Sequence, residues 1–506
     1  MTMTEANALP DDVDALKAII AVMADRNARL ERLVKAFKQA MFGAKSEKLD
    51  PDQFELALED IETGISAIEA EKAAAPAGPA VGHKQPRAAN RGSLPKHLPR
   101  IEVIVEPETT LCGCGSDLHV IGEDVSERLD VIPAQFRVIV TRRPRYGCRA
   151  CETGVVQAPA PARLIPAGLP TEAMIAHVLV AKYADHLPLY RQAQIYGRQG
   201  VDLDRSTLAH WVGRAAFELK PVFDCLTADL KRSTKLFVDE TRAPVLDPGR
   251  RRTKTGYFWS LARDDRPWAG PDPPSVAYCY APGRGEAHAE TFLAGFSGIL
   301  QVDGYAGYNR PARDVRAEGP IRLAYCWAHA RRKLHEIAKS GLAPIAEDGL
   351  RRIAELYRIE QDIRGQAPDA RLRLRQAQSA PLVGAFGDWV ERTRARVSAK
   401  SALGEALHYI FKLWNGLTIF LEDGRVEIDS NAVGRAIRPI ALNRKNALFA
   451  GHDAGAENWG VIASLIETAK LNNIEPHAYL TRTLEAIVNG HKQRDIDLLL
   501  PWNYAA

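Results

Sequence analysis

The sequence predicts a multidomain α+β protein, and three observations support this fold class. A long helical pattern with a narrow apolar stripe occupies the N-terminus. Four of the seven cysteines lie within a strand-rich window of 40 residues. Between residues 233 and 340, the runs follow the order β-β-β-α-β, then an α-like run, β and α. Because 506 residues exceed one compact core, we expect several units of roughly 100–200 residues each.

Composition and charge exclude several classes of protein. Apolar residues make up 46% of the chain and charged residues 26%, which excludes a wholly disordered, collagenous or fibrous protein. No run approaches the ~18 apolar residues that a membrane span needs, and the N-terminus lacks the pattern of a secretory signal. We therefore expect a cytoplasmic protein without a membrane partner. The net charge of +4 is only a weak indication of a polyanionic partner.

Basic residues are concentrated in two regions, 83–100 and 351–400, which include Arg371, Arg373 and Arg375. Such clusters suit a polyanion, but solvated helix faces explain each of them equally well.

The first 70 residues favour coiled-coil, leucine-zipper-like helices. Apolar side chains recur there at alternating intervals of three and four residues, with Arg26 as the one polar interruption: Leu16, Ile19, Met23, Leu30, Leu33, Phe37 and Ala40. One helix cannot bury such a narrow stripe, so the repeat favours a homodimer or higher oligomer. An amphipathic helix docked on its own chain is the alternative. Residues 71–100 are basic and rich in Pro and Ala, which indicates an extended linker.

Two cysteine pairs in residues 101–160 predict a zinc-finger-like module. Cys112 and Cys114 form the first pair, Cys148 and Cys151 form the second, and strand-like runs lie between them. Four thiolates suit tetrahedral Zn²⁺, around which small modules fold. A cluster of free thiols or a redox-active pair is the alternative.

Residues 161–232 are predicted to be helical and to contain a helix-turn-helix-like DNA-binding region. A helix near 189–196 is followed by a Gly-containing turn, and a second helix begins near Asp204 or Ser206. In this arrangement the second helix can enter the major groove of DNA. The candidate DNA contacts are Arg205, Ser206 and Thr207. Ordinary helix packing explains the pattern equally well.

Residues 233–340 predict a ribonuclease-H-like α/β core. Three strand-like runs separated by short turns predict an antiparallel meander, and two further strands follow a helical run. This is the element order of a ribonuclease-H-like sheet, in which the first and fourth strands are adjacent. The remaining chain reads as a helical insertion at 341–425, a return to the core at 426–455 and a C-terminal helical segment at 456–506.

Two aspartates follow predicted buried strands. Asp239 comes after Leu236-Phe237-Val238, and Asp303 comes after the run that ends at Val302. Burying a carboxylate without partners is costly, so each should face a cleft, a cation or hydrogen-bond donors. If the two strands are adjacent, the carboxylates meet and Mg²⁺ can bind between them and a substrate phosphate. The alternative for each aspartate is a turn cap.

Several motifs resemble the transposases of the IS66 insertion-sequence family. They cover essentially the whole chain and comprise FGAKSEKL at 42–49, GEDVSERLDVIPAQFRVI at 122–139, VDET, QVDGYAGY, CWAHARRK, IDSNAVGRAIRPIALNRKNALFAGHDAGAENW and SLIETAKLN. The resemblance implies a bacterial transposase of the DDE type, which carries out DNA recombination and uses Mg²⁺ or Mn²⁺. Asp239 and Asp303 would be its first two metal-binding acids. It also implies zinc at the cysteine cluster.

The third acid departs from the family pattern. The family's Glu stands in a segment resembling SNAVERAIRP, and this position is Gly434 here. Glu427, seven residues upstream, could replace it if the loop bends inward. Whether this copy of the enzyme is active therefore stays open. Near the site, four basic residues are candidates for contacts with DNA phosphates: Arg435, Arg438, Arg444 and Lys445.

The resemblance further implies that the protein binds the terminal repeats of its element and target DNA, and catalyses strand cleavage and transfer. It would associate with the nucleoid when bound to DNA, and the sequence leaves open a need for accessory proteins of the element. Two alternatives remain: a catalytically decayed DNA-binding protein that competes for element ends, and a ribonuclease-H-like nuclease that cuts without joining.

Overall fold

The computed structural model describes residues 135–504, apart from 148–154, 167, 248–251, 340 and 342. The chain divides into two compact units, residues 1–139 and 140–506. Of the first unit only residues 135–139 are described, and they are exposed and in neither helix nor strand. The predicted N-terminal helices, the linker and all four zinc-ligand candidates, Cys112, Cys114, Cys148 and Cys151, lie outside the described residues.

The second unit is a mixed α+β structure, as the sequence predicts. Its first element is a short antiparallel pair formed by β1 (Arg145–Gly147) and β2 (Val155–Gln157). Gly147 pairs with Val155, so the chain enters and leaves the segment that contains Cys148 and Cys151 at adjacent positions.

Three helices follow: α1 (Glu172–Tyr183), α2 (Leu189–Arg198) and α3 (Arg205–Lys231). Asp204 caps α3, since its carboxylate accepts from the Ser206 N–H at 2.6 Å. At 27 residues, α3 is longer than the short second helix expected of a helix-turn-helix motif. Ten of its side chains are buried, among them Leu208, Trp211 and Val212, so α3 contributes a long apolar face to the main core.

The centre of the unit is a five-stranded mixed sheet in the order β5-β4-β3-β6-β7. Its strands are β3 (Lys235–Asp247), β4 (Arg252–Arg263), β5 (Ser275–Ala281), β6 (Gly298–Val302) and β7 (Ile321–Tyr325). β3, β4 and β5 form an antiparallel meander. β6 and β7 run parallel to β3, with Phe237 opposite Gln301 and Val302 opposite Tyr325. The first and fourth strands of the sheet in chain order, β3 and β6, are therefore neighbours.

Three helices lie between and after these strands. α4 (Glu286–Leu293) connects β5 to β6, α5 (Asn309–Arg313) connects β6 to β7, and α6 (Trp327–Ala338) follows β7.

A helical insertion then forms a second apolar core. It contains α7 (Pro344–Asp362), α8 (Pro368–Leu374), α9 (Ala380–Arg394), α10 (Ala402–Lys412) and α11 (Trp414–Leu417). Within that core the ring centroid of Trp327, from α6, lies 5.5–6.3 Å from the ring centroids of Phe386, Trp414 and Phe420. The aromatic contacts thereby attach the insertion to the end of the sheet.

The chain returns to the sheet through α12 (Asn431–Ala447), α13 (Asp453–Leu471) and α14 (Pro476–Val488). α13 covers the edge strand β5, where the Tyr278 N–H donates to Ser464 Oγ at 2.8 Å and the Val276 N–H donates to Thr468 Oγ1 at 3.1 Å. These hydroxyls satisfy backbone groups that an edge strand otherwise exposes. No helix in the described part of the chain is both long and apolar enough to span a bilayer.

Candidate active site

Asp239 and Asp303 are brought together by the pairing of β3 with β6. Phe237 lies opposite Gln301, so each aspartate is two residues beyond an opposed pair on parallel neighbours. Their proximity has an electrostatic effect. Burial and then the charge of Asp303 raise the pKa of Asp239 to about 7. Two carboxylates that are 64 residues apart in the sequence thus share one edge of the sheet.

Backbone hydrogen bonds hold both aspartates in place. The Glu240 N–H donates to Asp239 Oδ1 at 2.8 Å, and the Tyr305 N–H donates to Asp303 Oδ1 at 2.8 Å. From the helical insertion, the Tyr409 hydroxyl donates to the carbonyl oxygen of Asp303 at 2.6 Å. The insertion therefore fixes the backbone at the second aspartate.

Another acid, Glu240, lies next to this pair, but its carboxylate is already paired with a cation. Its side chain is fully shielded from solvent, accepts from the Tyr308 hydroxyl at 2.5 Å and forms an ion pair with Arg284. Burial raises the pKa of Glu240, whereas Tyr308 and Arg284 oppose that change. None of Glu240, Tyr308 and Arg284 was predicted from the sequence as a site residue, although Glu240 stands in the VDET motif and Tyr308 in QVDGYAGY.

The N-terminus of α12 begins at the same edge of the sheet. Val302 pairs with Tyr325, so Cys326 is level with Asp303. There the Trp327 N–H donates to the Ile428 carbonyl at 3.0 Å, and the Ser430 N–H donates to Cys326 Sγ at 3.2 Å.

Gly434, the position of the family's third acid, lies in the first turns of α12 and is exposed. A Cβ placed on it would meet no atom within 4 Å. The backbone can therefore accept a side chain at this position without a steric conflict.

Glu427 lies near the pair by its backbone, but its carboxylate is bound elsewhere. The Glu427 N–H donates to Gln301 Oε1 at 2.9 Å, and its carbonyl accepts from Gln301 Nε2 at 2.9 Å. The carboxylate lies 2.8 Å from Nη2 of Arg371, which is 1% exposed. Glu427 would have to leave this buried cation to reach a metal ion between the aspartates.

The same cluster corrects one alternative for the basic region 351–400. Arg371 and Arg375 are not on a solvated face: they are 1% and 0% exposed and surround Glu360. Their four-residue spacing directs both guanidinium groups to one side of the helix, where Glu360 neutralises them. Arg373, between them, is exposed.

His329 and Asp429 extend the group of charged residues. Burial lowers the pKa of His329, and the charges of Asp303 and Asp429 act in the opposite direction, so the imidazole lies within range of both. Asp429 Oδ1 accepts from the Asn431 N–H at 3.0 Å, and burial raises the pKa of Asp429. The sequence pattern did not single out Asp429 as a site residue.

The donor set fits a divalent cation of the magnesium type in part. Within the described residues, no three His, Cys, Asp or Glu side chains are arranged to hold a metal ion by themselves. Mg²⁺, however, commonly binds through one or two carboxylates and completes its octahedron with water and substrate phosphate. Asp239 and Asp303 supply two such carboxylates, and a cation would relieve their repulsion.

The candidate DNA contacts lie on two elements. Arg205 and Ser206 are exposed and Thr207 is half-buried at the start of α3. On α12, Arg435, Arg438 and Lys445 are exposed. Arg444 Nη1 lies 3.3 Å from Thr241 Oγ1. Thr241 is two residues beyond Asp239 on β3, so Arg444 lies on the same face of the strand as the aspartate.

The chain matches family descriptions over most of its length. Residues 167–458 match "Transposase IS66 family", and residues 464–502 match "IS66 C-terminal element". Residues 109–152 match "zinc-finger binding domain of transposase IS66". Residues 29–103 match a leucine-zipper region described as "Transposase C of IS166 homeodomain", which extends through the segment that composition assigns to a linker.

Curated relatives are similar over nearly the whole chain. "Uncharacterized protein y4jD" of Sinorhizobium fredii is 46% identical over 98% of this chain and 97% of its own length. "Uncharacterized protein y4qI" of the same organism is 42% identical over 98% of both chains. With the zinc-finger and leucine-zipper regions both matched, DNA binding and transposition follow from the family, and the chain belongs to the IS66 transposases.

Proposed function

We propose that the protein is the transposase of an insertion sequence, which binds the terminal repeats of its element and joins cleaved ends to target DNA. The observation that carries this proposal is the convergence of Asp239 and Asp303 on neighbouring parallel strands. It would act in the cytoplasm on the bacterial nucleoid, as the family match suggests.

The order of the sheet supports a ribonuclease-H-like core. An antiparallel meander of three strands is followed by two strands parallel to the first, with β3 and β6 adjacent. In this order two strands that end in acids are neighbours, which suits a metal site for phosphodiester chemistry. A likeness of fold alone does not establish an activity, so the proposal depends on the aspartates rather than on the sheet.

Asp239 and Asp303, with both carboxyl groups ionised, would hold Mg²⁺ or Mn²⁺. The bound cation would activate a water or a 3′-hydroxyl and stabilise the departing oxygen of the phosphodiester. The chain's own residues do the positioning: Tyr305 and Tyr409 fix Asp303. Arg284 neutralises Glu240, and the Tyr308 hydroxyl donates a hydrogen bond to it. Arg435, Arg438, Arg444 and Lys445 would neutralise DNA phosphates beside the acids.

The proposed enzyme has a weak chemical step because Gly434 occupies the position of the third acid. Glu427 is a poor replacement, since its carboxylate is paired with buried Arg371. Two carboxylates bind a divalent cation more weakly than three. We therefore expect DNA binding to persist in this copy while strand transfer is slow.

The remaining regions would bind and pair the DNA ends. The leucine-zipper region would join two or more copies, so that both ends of the element are held together. The zinc-finger region, with Zn²⁺ on Cys112, Cys114, Cys148 and Cys151, and the start of α3 with Arg205, Ser206 and Thr207 would contact terminal DNA.

A strand-transfer assay with the element's terminal DNA tests the proposal. We expect little Mg²⁺-dependent product from the wild type and more from Gly434→Glu, while Asp239→Asn and Asp303→Asn in the Gly434→Glu background abolish it. Strong wild-type activity that survives Asp303→Asn would overturn the assignment of the acids. Strong wild-type activity that is lost with Asp303→Asn would overturn only the proposal that Gly434 weakens the chemical step.

The second candidate is a decayed DNA-binding protein that competes for element ends, which the glycine at 434 favours. A specific gel shift on terminal repeats, with no transfer product from Gly434→Glu, would support it. Cleavage of DNA without joining would instead indicate a nuclease.

A further inference from the structure

The loop after α12 holds a strained turn with two exposed apolar side chains. Leu448 has φ 65° and ψ −48°, and the Phe449 N–H donates to the Ala447 carbonyl at 2.8 Å. This is a γ-turn of the positive-φ kind, which is rare and strained for residues other than glycine. Leu448 is 66% exposed and Phe449 is 41% exposed. Packing within the described protein does not explain why a leucine occupies this position.

The loop is firmly attached to the strand that carries Asp239. The Ala450 N–H donates to the Pro244 carbonyl at 2.9 Å, and the Leu246 N–H donates to the Ala450 carbonyl at 2.8 Å. Just before the turn, Arg444 contacts Thr241 on the Asp239 face of β3. The strained turn is therefore fixed by its surroundings, which is the condition under which such strain persists.

The charge around the loop favours a polyanionic partner. The segment from Ser430 to His452 contains no Asp or Glu, but has four Arg and Lys residues: Arg435, Arg438, Arg444 and Lys445. Arg242, on the strand beside the loop, is also exposed. Apolar side chains set among cations suit a nucleic acid, in which phosphates surround the apolar faces of stacked bases.

We propose that Leu448 and Phe449 form a wedge that enters a base step of the bound duplex and unstacks it. This inference rests on the proposed function and adds a DNA-deforming contact to it. Leucine and phenylalanine are among the side chains that proteins insert between base pairs. The exposed turn presents both without any rearrangement of the strand beneath.

The position of the wedge follows from the length of β3. Six residues separate Asp239 from Val245, which pairs with Ala450. At about 3.3 Å per residue the loop lies about 20 Å along the strand. A duplex that follows β3 with its reacting phosphate at Asp239 would meet the wedge about six base pairs away, at about 3.4 Å per base pair.

The test is a 2-aminopurine scan of terminal-DNA duplexes with the full-length protein. 2-Aminopurine becomes more fluorescent when it is unstacked, so we expect a local increase at one step about six base pairs from the reacting phosphate. The combined Leu448→Gly and Phe449→Ala variant should lose this increase. It should keep its gel shift and the salt dependence of binding, because the phosphate contacts remain. Val315→Ala, a change at a fully exposed apolar residue outside the turn, should behave as the wild type.

The outcomes separate this inference from the function on which it rests. A normal gel shift without any local increase in fluorescence, or an increase that survives the double variant, would reject the wedge alone. Absence of a gel shift from the folded wild type would reject the proposed function and the wedge together. Thermal melts of each variant, followed by circular dichroism, establish that the loss of signal is not a loss of folding.

Discussion

The guanidinium of Arg371 lies 2.8 Å from the carboxylate of Glu427, at a point where the two side chains are 1% and 13% exposed. Glu360 completes the cluster and binds Arg375 at 2.7 Å. Arg371 and Arg375 belong to the helical insertion, and Glu427 belongs to the segment that returns to the sheet. The ion pairs therefore connect the insertion to the strand that precedes Asp303, through the bonds between Glu427 and Gln301.

The first prediction concerns this ion pair. Glu427→Gln should lower the free energy of unfolding by about 3 kcal/mol, because removing one partner leaves a buried cation short of negative charge. Urea denaturation measures the change. Glu422→Gln, which breaks an ion pair between exposed Arg322 and Glu422, should cost less than about 1 kcal/mol. An unchanged urea midpoint for Glu427→Gln would show that the ion pair with Arg371 does not hold this carboxylate, which could then bind a metal ion.

The second prediction concerns pH and Asp239. Burial and the charge of Asp303 raise the pKa of Asp239 to about 7 in the folded protein, above the 3.8 of an unperturbed Asp. The folded state then holds the proton more tightly than the unfolded state, so this group lowers stability as pH rises from about 4 to about 7. Above pH 7 its contribution is constant.

Asp239→Asn removes this destabilisation. We expect the variant to exceed the wild type in free energy of unfolding by about 1–4 kcal/mol at pH 8, at about 1.4 kcal/mol per pKa unit, and by less at pH 5. Added Mg²⁺ should stabilise the wild type at pH 8 and leave Asp239→Asn unchanged. A difference between the two proteins that is the same at both pH values would contradict the raised pKa of Asp239.

The third prediction uses two helical glycines with opposite surroundings. Gly434→Ala should stabilise the protein by about 0.5–1 kcal/mol, because its Cβ meets no atom within 4 Å and glycine disfavours helix. At Gly349 a Cβ would lie 2.8 Å from both Leu334 and Trp389, so Gly349→Ala should destabilise by about 1–3 kcal/mol. Thermal melts compare the two. A Gly434→Ala variant that melts below the wild type would contradict the open surroundings of this position.

The convergence of the two aspartates could be predicted from sequence because it depends on strong local signals. Each apolar run that ends in an acid marks a buried strand with a polar end, and the order of strands and helices limits the topologies. The register between Phe237 and Gln301 then follows from parallel pairing of the two strands. Nothing in that inference requires a long-range side-chain contact to be known.

The buried partner of Glu427 could not be predicted in the same way. Arg371 and Glu427 are 56 residues apart, and a buried arginine has the same local pattern as one on a solvated helix face. The long helix α3 shows the same difficulty. Its capping signal at Asp204 predicts where the helix begins, but its length depends on packing against other elements. Tertiary contacts decide both features.

The last prediction separates backbone strain from side-chain function at Leu448. Leu448→Gly should raise the free energy of unfolding by about 1 kcal/mol, since glycine adopts φ 65° without strain and the side chain that it loses is mostly exposed. Leu448→Ala removes nearly the same atoms but keeps the strained backbone, so it should leave stability near that of the wild type. Urea midpoints of the two variants make the comparison. If alanine stabilises as much as glycine, the side chain rather than the turn is the source of the strain. Leucine at 448 would then carry no backbone cost for a function to explain.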